Sequence, residues 1–130
     1  MSVLETCPCG SNQQLEQCCL PYHLGLIIPP NAEILMRSRY TAYVRADEAY
    51  LKATWHPDTL PSPFQLGDQA NTRWLGLSIK HYQNSDPDHA VVEFVARYKV
   101  NGRAYRLHEV GRFVRVQARW YYLNGATTDD

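Results

Sequence analysis

No cysteine lies outside residues 7–19, residues 1–30 contain no lysine or arginine, and the formal net charge is zero. The longest apolar run, residues 24–30, is far shorter than the ~20 residues that cross a bilayer, and no basic-plus-apolar leader opens the chain. These absences exclude a membrane-spanning helix and a secretory signal. They predict a soluble, cytoplasmic protein with reduced thiols. Missing too are a glycine-rich phosphate loop, a serine-nucleophile elbow and a histidine-rich catalytic metal site. The common nucleotide-hydrolysing, esterase and zinc-hydrolase classes are therefore unsupported. A pI near 6.9 argues against nucleic acid as a partner. Residues 91–119 do carry seven bases against Glu93 and Glu109, which reads as the solvated face of a sheet.

What is present begins with the cysteines. Cys7 and Cys9 form a C-x-C pair, and eight residues later Cys18 and Cys19 stand side by side. Four soft sulfur donors match the ligand count of a closed tetrahedral zinc site, predicting one structural Zn²⁺ per chain. So short a segment buries too little apolar surface to fold alone, so the metal would supply its folding free energy. Disulfides compete because the count is even, but the secretory context is missing. A redox thiol competes less well, because the C-x-x-C spacing is absent. Cys18 and Cys19 reach one ion only if the chain turns between them, since adjacent residues of a strand point apart.

C-x-C-x8-C-C resembles the SEC-C motif, known from the tail of the preprotein translocase motor subunit and from small bacterial proteins. The resemblance implies zinc on Cys7, Cys9, Cys18 and Cys19. It also implies a protein partner docked through the knuckle, of the secretion, chaperone or ribosome machinery. The motif usually carries Gly-Lys-Lys or similar where this chain has Asn12, Gln13 and Gln14.

With 130 residues, 45% hydrophobic and 12% aromatic, the chain has room for one packed domain beside the knuckle. Residues 1–25 form knuckle and connector, 26–125 the main domain, and 126–130 a loose tail. Pro29-Pro30 ends the connector, and Asn31 caps a helix predicted over 32–46. Asp47 caps a shorter one over 48–54. Residues 56–72, rich in Pro with Gly67-Asp68, read as a long loop shaping a cavity mouth. From Arg73 the pattern alternates, predicting four strands with a hairpin turn at Asn101-Gly102 and an end at Asn124-Gly125. Helices followed by antiparallel strands make an α+β fold in which helices cover one face of a curved sheet.

Met36-Arg37-Ser38-Arg39-Tyr40-Thr41-Ala42-Tyr43, Thr54-Trp55-His56-Pro57, Trp74-Leu75-Gly76-Leu77, Leu107-His108-Glu109 and Trp120-Tyr121-Tyr122 resemble the YchJ-type family of uncharacterised bacterial proteins. The resemblance runs from the knuckle to Gly125 and implies a nuclear transport factor 2-like cone for the main domain. It carries no known reaction. Many members have a serine where Gly111 stands here.

Two functional classes follow. In the first, the domain presents the metal-fixed knuckle to a protein partner, an adaptor without catalysis. In the second, the curved sheet encloses a small-molecule or enzyme cavity lined by Tyr40, Tyr43, Trp55, Trp74 and Tyr98, with Glu109 and His56 as candidate acid–base groups. On the alternating phase Tyr105, Leu107, Glu109, Gly111, Phe113, the Glu109 carboxyl faces inward and must be paired or protonated. An ion pair with Arg37 or Arg39 is the favoured arrangement and would support the adaptor. An open pocket with an unpaired Glu109 would support the cavity. His23, His81 and His89 read as solvated surface. The oligomeric state is left open.

Overall fold

The computed structural model describes residues 5–64, 66 and 71–128. A 3-10 turn (Leu15–Gln17) leads into α1 (Leu20–His23), α2 (Ala32–Val44) and α3 (Glu48–Ala53). Four strands follow: β1 (Thr72–Asp86), β2 (His89–Val100), β3 (Arg103–Val116) and β4 (Arg119–Thr127). They pair antiparallel in chain order, and the helices pack against one side, the α+β arrangement that the pattern predicts. Among the described residues no helix is long and apolar enough to cross a membrane.

Period-two burial sets the inner face: Ala90, Val92, Phe94 and Ala96 of β2 are buried, with Leu77, Phe113, Trp120 and Tyr122 on the other strands. Register shifts at Trp74/Gly76, Ile79/His81 and Asn84/Asp86 bend β1, and another at Arg112/Phe113 bends the β3–β4 pair. Each such irregularity increases local twist, so the long strands curl around α2.

Asn31 caps α2 by accepting a 2.8 Å hydrogen bond from the Ile34 amide. Of its 13 residues, Ala32, Leu35, Met36, Ser38, Arg39, Tyr40, Thr41 and Ala42 are buried. The buried polar members need partners. Ser38 Oγ donates to Leu35 O at 2.8 Å and lies 2.7 Å from the Tyr50 hydroxyl. Beyond α3 the chain runs beside β4: the Tyr122 amide donates to Thr54 O and the His56 amide to Tyr122 O, both at 2.8 Å.

Three features depart from the sequence reading. Residues 20–23, expected as connector, form α1, because Pro21 sits in a helical first turn where its missing N–H is harmless. His23, expected in solvent, is buried. Its Nε2–H donates to Ser38 O at 2.8 Å, Nδ1 accepts from Arg45 at 2.7 Å, and the ring packs 4.6 Å from Tyr50. Burial pushes its pKa down, so the ring is a neutral clasp between α1 and α2. Lastly, β4 passes through Asn124-Gly125 to Thr127, so the first residues of the expected loose tail are paired with β3. Gly67-Asp68 of the expected cavity mouth and the tail's Asp129-Asp130 lie outside the described residues.

Two hairpins turn through paired left-handed residues. Asn101-Gly102 suits that geometry; Gln117 and Ala118 adopt it at φ 51° and 68° without the residues that favour it. Ala118→Gly should therefore raise unfolding free energy by about 1 kcal/mol, measured by urea denaturation; no change would mean the turn is relaxed in solution.

Candidate metal centre and cavity

The knuckle is a miniature hairpin. Cys7 N donates to Gln13 O and Leu15 N to Glu5 O, each at 2.8 Å, around the Thr6–Gln14 bridge. Gly10 turns the chain at φ +87°, and a Cβ there would meet the Leu77 carbonyl at 3.2 Å, so both conformation and clearance require glycine. The 3-10 turn then delivers Cys18 and Cys19, and Cys19 caps α1. The backbone bends between these neighbours, and both sulfurs reach one point.

All four Sγ atoms lie within 4.8 Å of one another. Cys9–Cys18 is 3.6 Å and Cys18–Cys19 is 3.9 Å, against about 3.8 Å for the edge of a tetrathiolate tetrahedron with ~2.3 Å metal–sulfur bonds. None of the four is in a disulfide. The cluster fits one metal ion. Hydrogen bonds from Cys19 and Cys7 push the Cys9 thiol well down. Hydrogen bonding to Cys7 and Cys9 pushes Cys19 up, and burial pushes Cys18 up to about 11. Successive thiolates repel, so a dication at their centre is what would allow all four to ionise.

The cluster is fastened to α2. Arg37 donates from Nη1 to Cys9 O at 2.7 Å and from Nε to Glu33 at 3.2 Å, while Thr41 Oγ1 lies 3.6 Å from Cys7 Sγ. Asn12 and Gln13, where the motif is commonly basic, are exposed and uncharged.

A different face of α2 contributes Met36, Arg39, Tyr40 and Tyr43 to a cavity of about 280 Å³ between the helix and the sheet. Trp55, Trp74, Phe94, Leu107, Glu109 and Tyr122 help complete its wall. Four of the five aromatics named from the sequence therefore line one space. Tyr98 does not: it packs behind Trp74 at 5.2 Å and stacks on Tyr105 at 5.5 Å, towards the rim of the sheet. His56 also stays outside, its Nδ1 accepting from the Asp58 amide at 3.0 Å and its ring beside Tyr121. His108 faces away from Glu109 and pairs with Glu93 at 2.7 Å. No histidine joins Glu109 in the cavity.

The ion pair expected for Glu109 is not formed. Arg37 is held at the knuckle. Arg39, only 2% exposed, donates from Nη1 to Leu51 O at 3.0 Å and Thr54 Oγ1 at 2.7 Å. Its guanidinium lies 4.7 Å from the Tyr122 ring centre and 5.2 Å from that of Trp55, so α3 carbonyl and ring faces solvate the charge. Glu109 Oε2 instead accepts from the Tyr122 hydroxyl at 3.0 Å. Trp55 and Trp74 each bury an indole N–H with no hydrogen-bond partner among the described residues, an arrangement that typically costs ~1–3 kcal/mol apiece.

The family described as "YchJ, middle NTF2-like domain" matches residues 31–125, and the SEC-C motif matches residues 5–21. A UPF0225 protein of Ralstonia nicotianae is 53% identical over 94% of this chain and 91% of its own length. A UPF0225 protein of Cupriavidus pinatubonensis is 54% identical over 92% and 86%. The chain belongs to the UPF0225 family. Among solved structures, that of a SEC-C motif containing protein from Rhodopseudomonas palustris superposes with a TM-score of 0.85 at 28% identity, covering 96% of this chain and all of the other. One from Psychrobacter arcticus gives 0.80 at 30% identity over 97% and 84%. The α+β cone with an amino-terminal cysteine knuckle is thus a shared architecture.

In this UPF0225 member, sequence reasoning missed how Glu109 is accommodated. A Cβ at Gly125 would collide with the Glu109 carboxyl, and one at Gly111 would lie 3.5 Å from Oε2. These two glycines, paired across β3 and β4, open the space that the carboxyl fills. The signal was present in Gly125, but it read as a turn. Tyr122 was legible only as an aromatic near the end of the fold, because the register shift at Arg112/Phe113 decides what its hydroxyl reaches.

Burial raises the Glu109 pKa above 4.5, against the opposing effects of the Tyr122 hydrogen bond and the Arg39 charge. A raised folded-state value means the native protein binds this proton more tightly than the unfolded chain. Glu109 therefore contributes most at low pH, and its contribution falls as pH rises from 4.5 through the raised value. Glu109→Gln should become progressively more stable relative to wild type across that window and then level off. Urea midpoints at stepped pH test this; a variant losing ground as pH rises would indicate a well-paired carboxylate.

Proposed function

We propose that this protein is a small-molecule-binding protein whose zinc knuckle braces the wall of the binding cavity. The observation that carries the reading is an open cavity of about 280 Å³ holding Glu109 without an ion pair. A core built only for stability would fill that space, and a carboxyl there would be neutralised by arginine. Aromatic walls with a few convergent polar groups are the usual make-up of a ligand site. Among the described residues Glu109 has no histidine beside it, and its one proton donor is the Tyr122 hydroxyl, so binding is better supported than catalysis.

In this reading the four cysteines hold Zn²⁺ as a closed structural site, since tetrahedral sulfur coordination leaves no position for substrate. Reduced thiols suit the cytoplasm. Through Arg37 and Thr41, the ion's binding free energy reaches the helix that carries Arg39, Tyr40 and Tyr43.

A second reading, docking of a protein partner beside the knuckle, is favoured by one observation. Leu24, Leu26, Ile27 and Ile28 are 62%, 71%, 51% and 44% exposed, an apolar strip just after the cluster.

Two measurements test these readings. Ala96 lines the cavity, and Ala96→Phe should abolish binding of small aromatic fragments detected by ligand-observed NMR with wild-type protein. Fragments that bind both proteins equally, or a screen without hits, would sink the cavity reading. Elemental analysis should find one zinc per chain, lost in Cys18→Ser/Cys19→Ser with a melting temperature about 5–10 °C lower, the shift expected of a ~2 kcal/mol loss. Wild-type protein with negligible zinc after chelator-free purification would refute the metal reading. Under the docking reading, Leu26→Ser/Ile27→Ser should keep its zinc but lose cross-linked partners; unchanged cross-links would remove the strip from the interface.

A further inference from the structure

Resting on the cavity reading above, we propose that the ligand is a neutral, flat nitrogen heterocycle of one or two rings, its ring N–H donating to Glu109. Four features select this chemistry. The first is size: about 280 Å³ lies at the bottom of the ~300–1,000 Å³ range of small-molecule sites, room for one or two fused rings. The second is shape, because Tyr40, Tyr43, Trp55, Trp74 and Phe94 present ring surfaces that favour a planar guest.

The third feature is charge. Arg39 is the cation of the cavity wall, and its hydrogen bonds among the described residues both run from Nη1 to the end of α3, with its guanidinium held between two ring faces. An anionic ligand would therefore meet the Glu109 carboxyl without a freed cation to offset it. A cationic ligand could pair with Glu109 only inside the repulsive field of the nearby buried Arg39 guanidinium. A neutral ligand avoids both penalties.

The fourth feature is the hydrogen-bond inventory. Glu109 has one oxygen bonded to Tyr122, while its second has no partner among the described residues and is available to a donor. The indole N–H groups of Trp55 and Trp74 also lack acceptors among the described residues, but both nitrogens are buried out of a ligand's reach. A ring N–H offers what the Glu109 carboxyl lacks. An aromatic hydrocarbon would leave that carboxyl unsatisfied, and a simple carboxylate would supply acceptors but no donor.

The test is calorimetric titration of the full, metal-loaded chain with uracil, hypoxanthine, benzoate and 1-methylindole. Uracil and hypoxanthine carry ring N–H donors on one and two rings; benzoate is a flat anion; 1-methylindole is flat and neutral with no N–H. At least one N–H heterocycle should bind about tenfold more tightly than benzoate or 1-methylindole. Glu109→Leu should erase that advantage while leaving 1-methylindole affinity unchanged, and Glu109→Gln, which keeps an acceptor oxygen, should retain most of it. Benzoate or 1-methylindole binding as tightly as both N–H heterocycles would overturn the proposed class yet leave the cavity standing. So would heterocycle affinity that survives Glu109→Leu. If none of the four binds, the proposal fails, and the Ala96→Phe fragment comparison decides separately whether the cavity binds anything.

Discussion

The second helix has no face turned wholly to solvent, and the structure depends on that constraint. Residues 37 and 41 touch the knuckle, 38 and 42 meet the α1–α3 side, and 36, 39, 40 and 43 look into the cavity. A helix so enclosed must satisfy every polar side chain internally. Ser38, Arg39 and Thr41 do so through Tyr50, the end of α3 and Cys7. Two of these partners belong to α3 and one to the knuckle, while the apolar residues of α2 pack on the sheet, so α2 joins the knuckle, the short helices and the sheet into one cooperative body. A metal held at one side and a ligand in the cavity at the other would both act on this helix.

The cavity shows how two opposite charges can be buried close together without pairing. Arg39 is solvated by a carbonyl, a hydroxyl and two aromatic faces; Glu109 is solvated by a phenol and by the room that two glycines leave. Their mutual attraction is still felt, since Arg39 opposes the burial effect on the Glu109 proton. Direct contact would close the space between helix and sheet. Keeping the groups apart preserves a polar, roomy interior at some expense in stability, a common signature of a site shaped for binding.

Much of this architecture was legible in the sequence because its signals are local. The cysteine spacing specifies a ligand set, Asn31 and Asp47 announce helix starts, and alternation in 90–98 defines the inner face of β2. The inward phase of Glu109 followed from the same alternation. What escaped depends on contacts distant in the chain. Whether Glu109 meets an arginine or a tyrosine is decided by α3, which draws Arg39 away, and by a register shift in the β3–β4 pair. His23 read as surface because nothing nearby in sequence reveals Ser38 O and Arg45 waiting for its two nitrogens. Tyr98 has the right phase but lies too far along β2, where the sheet has already passed the cavity.

The backbone contacts flanking the sheet carry a further consequence. Strand β4 is met on its outer side at Tyr122 by residues 54–56, and β1 is approached by the Gly10 turn against the Leu77 carbonyl. Both outermost strands thus have neighbours along part of the line where a foreign strand would hydrogen-bond, and β1 is further distorted by its three register shifts. Growth of the sheet from copy to copy is hindered at these positions, which favours side-chain surfaces over shared ladders in a self-association of this protein.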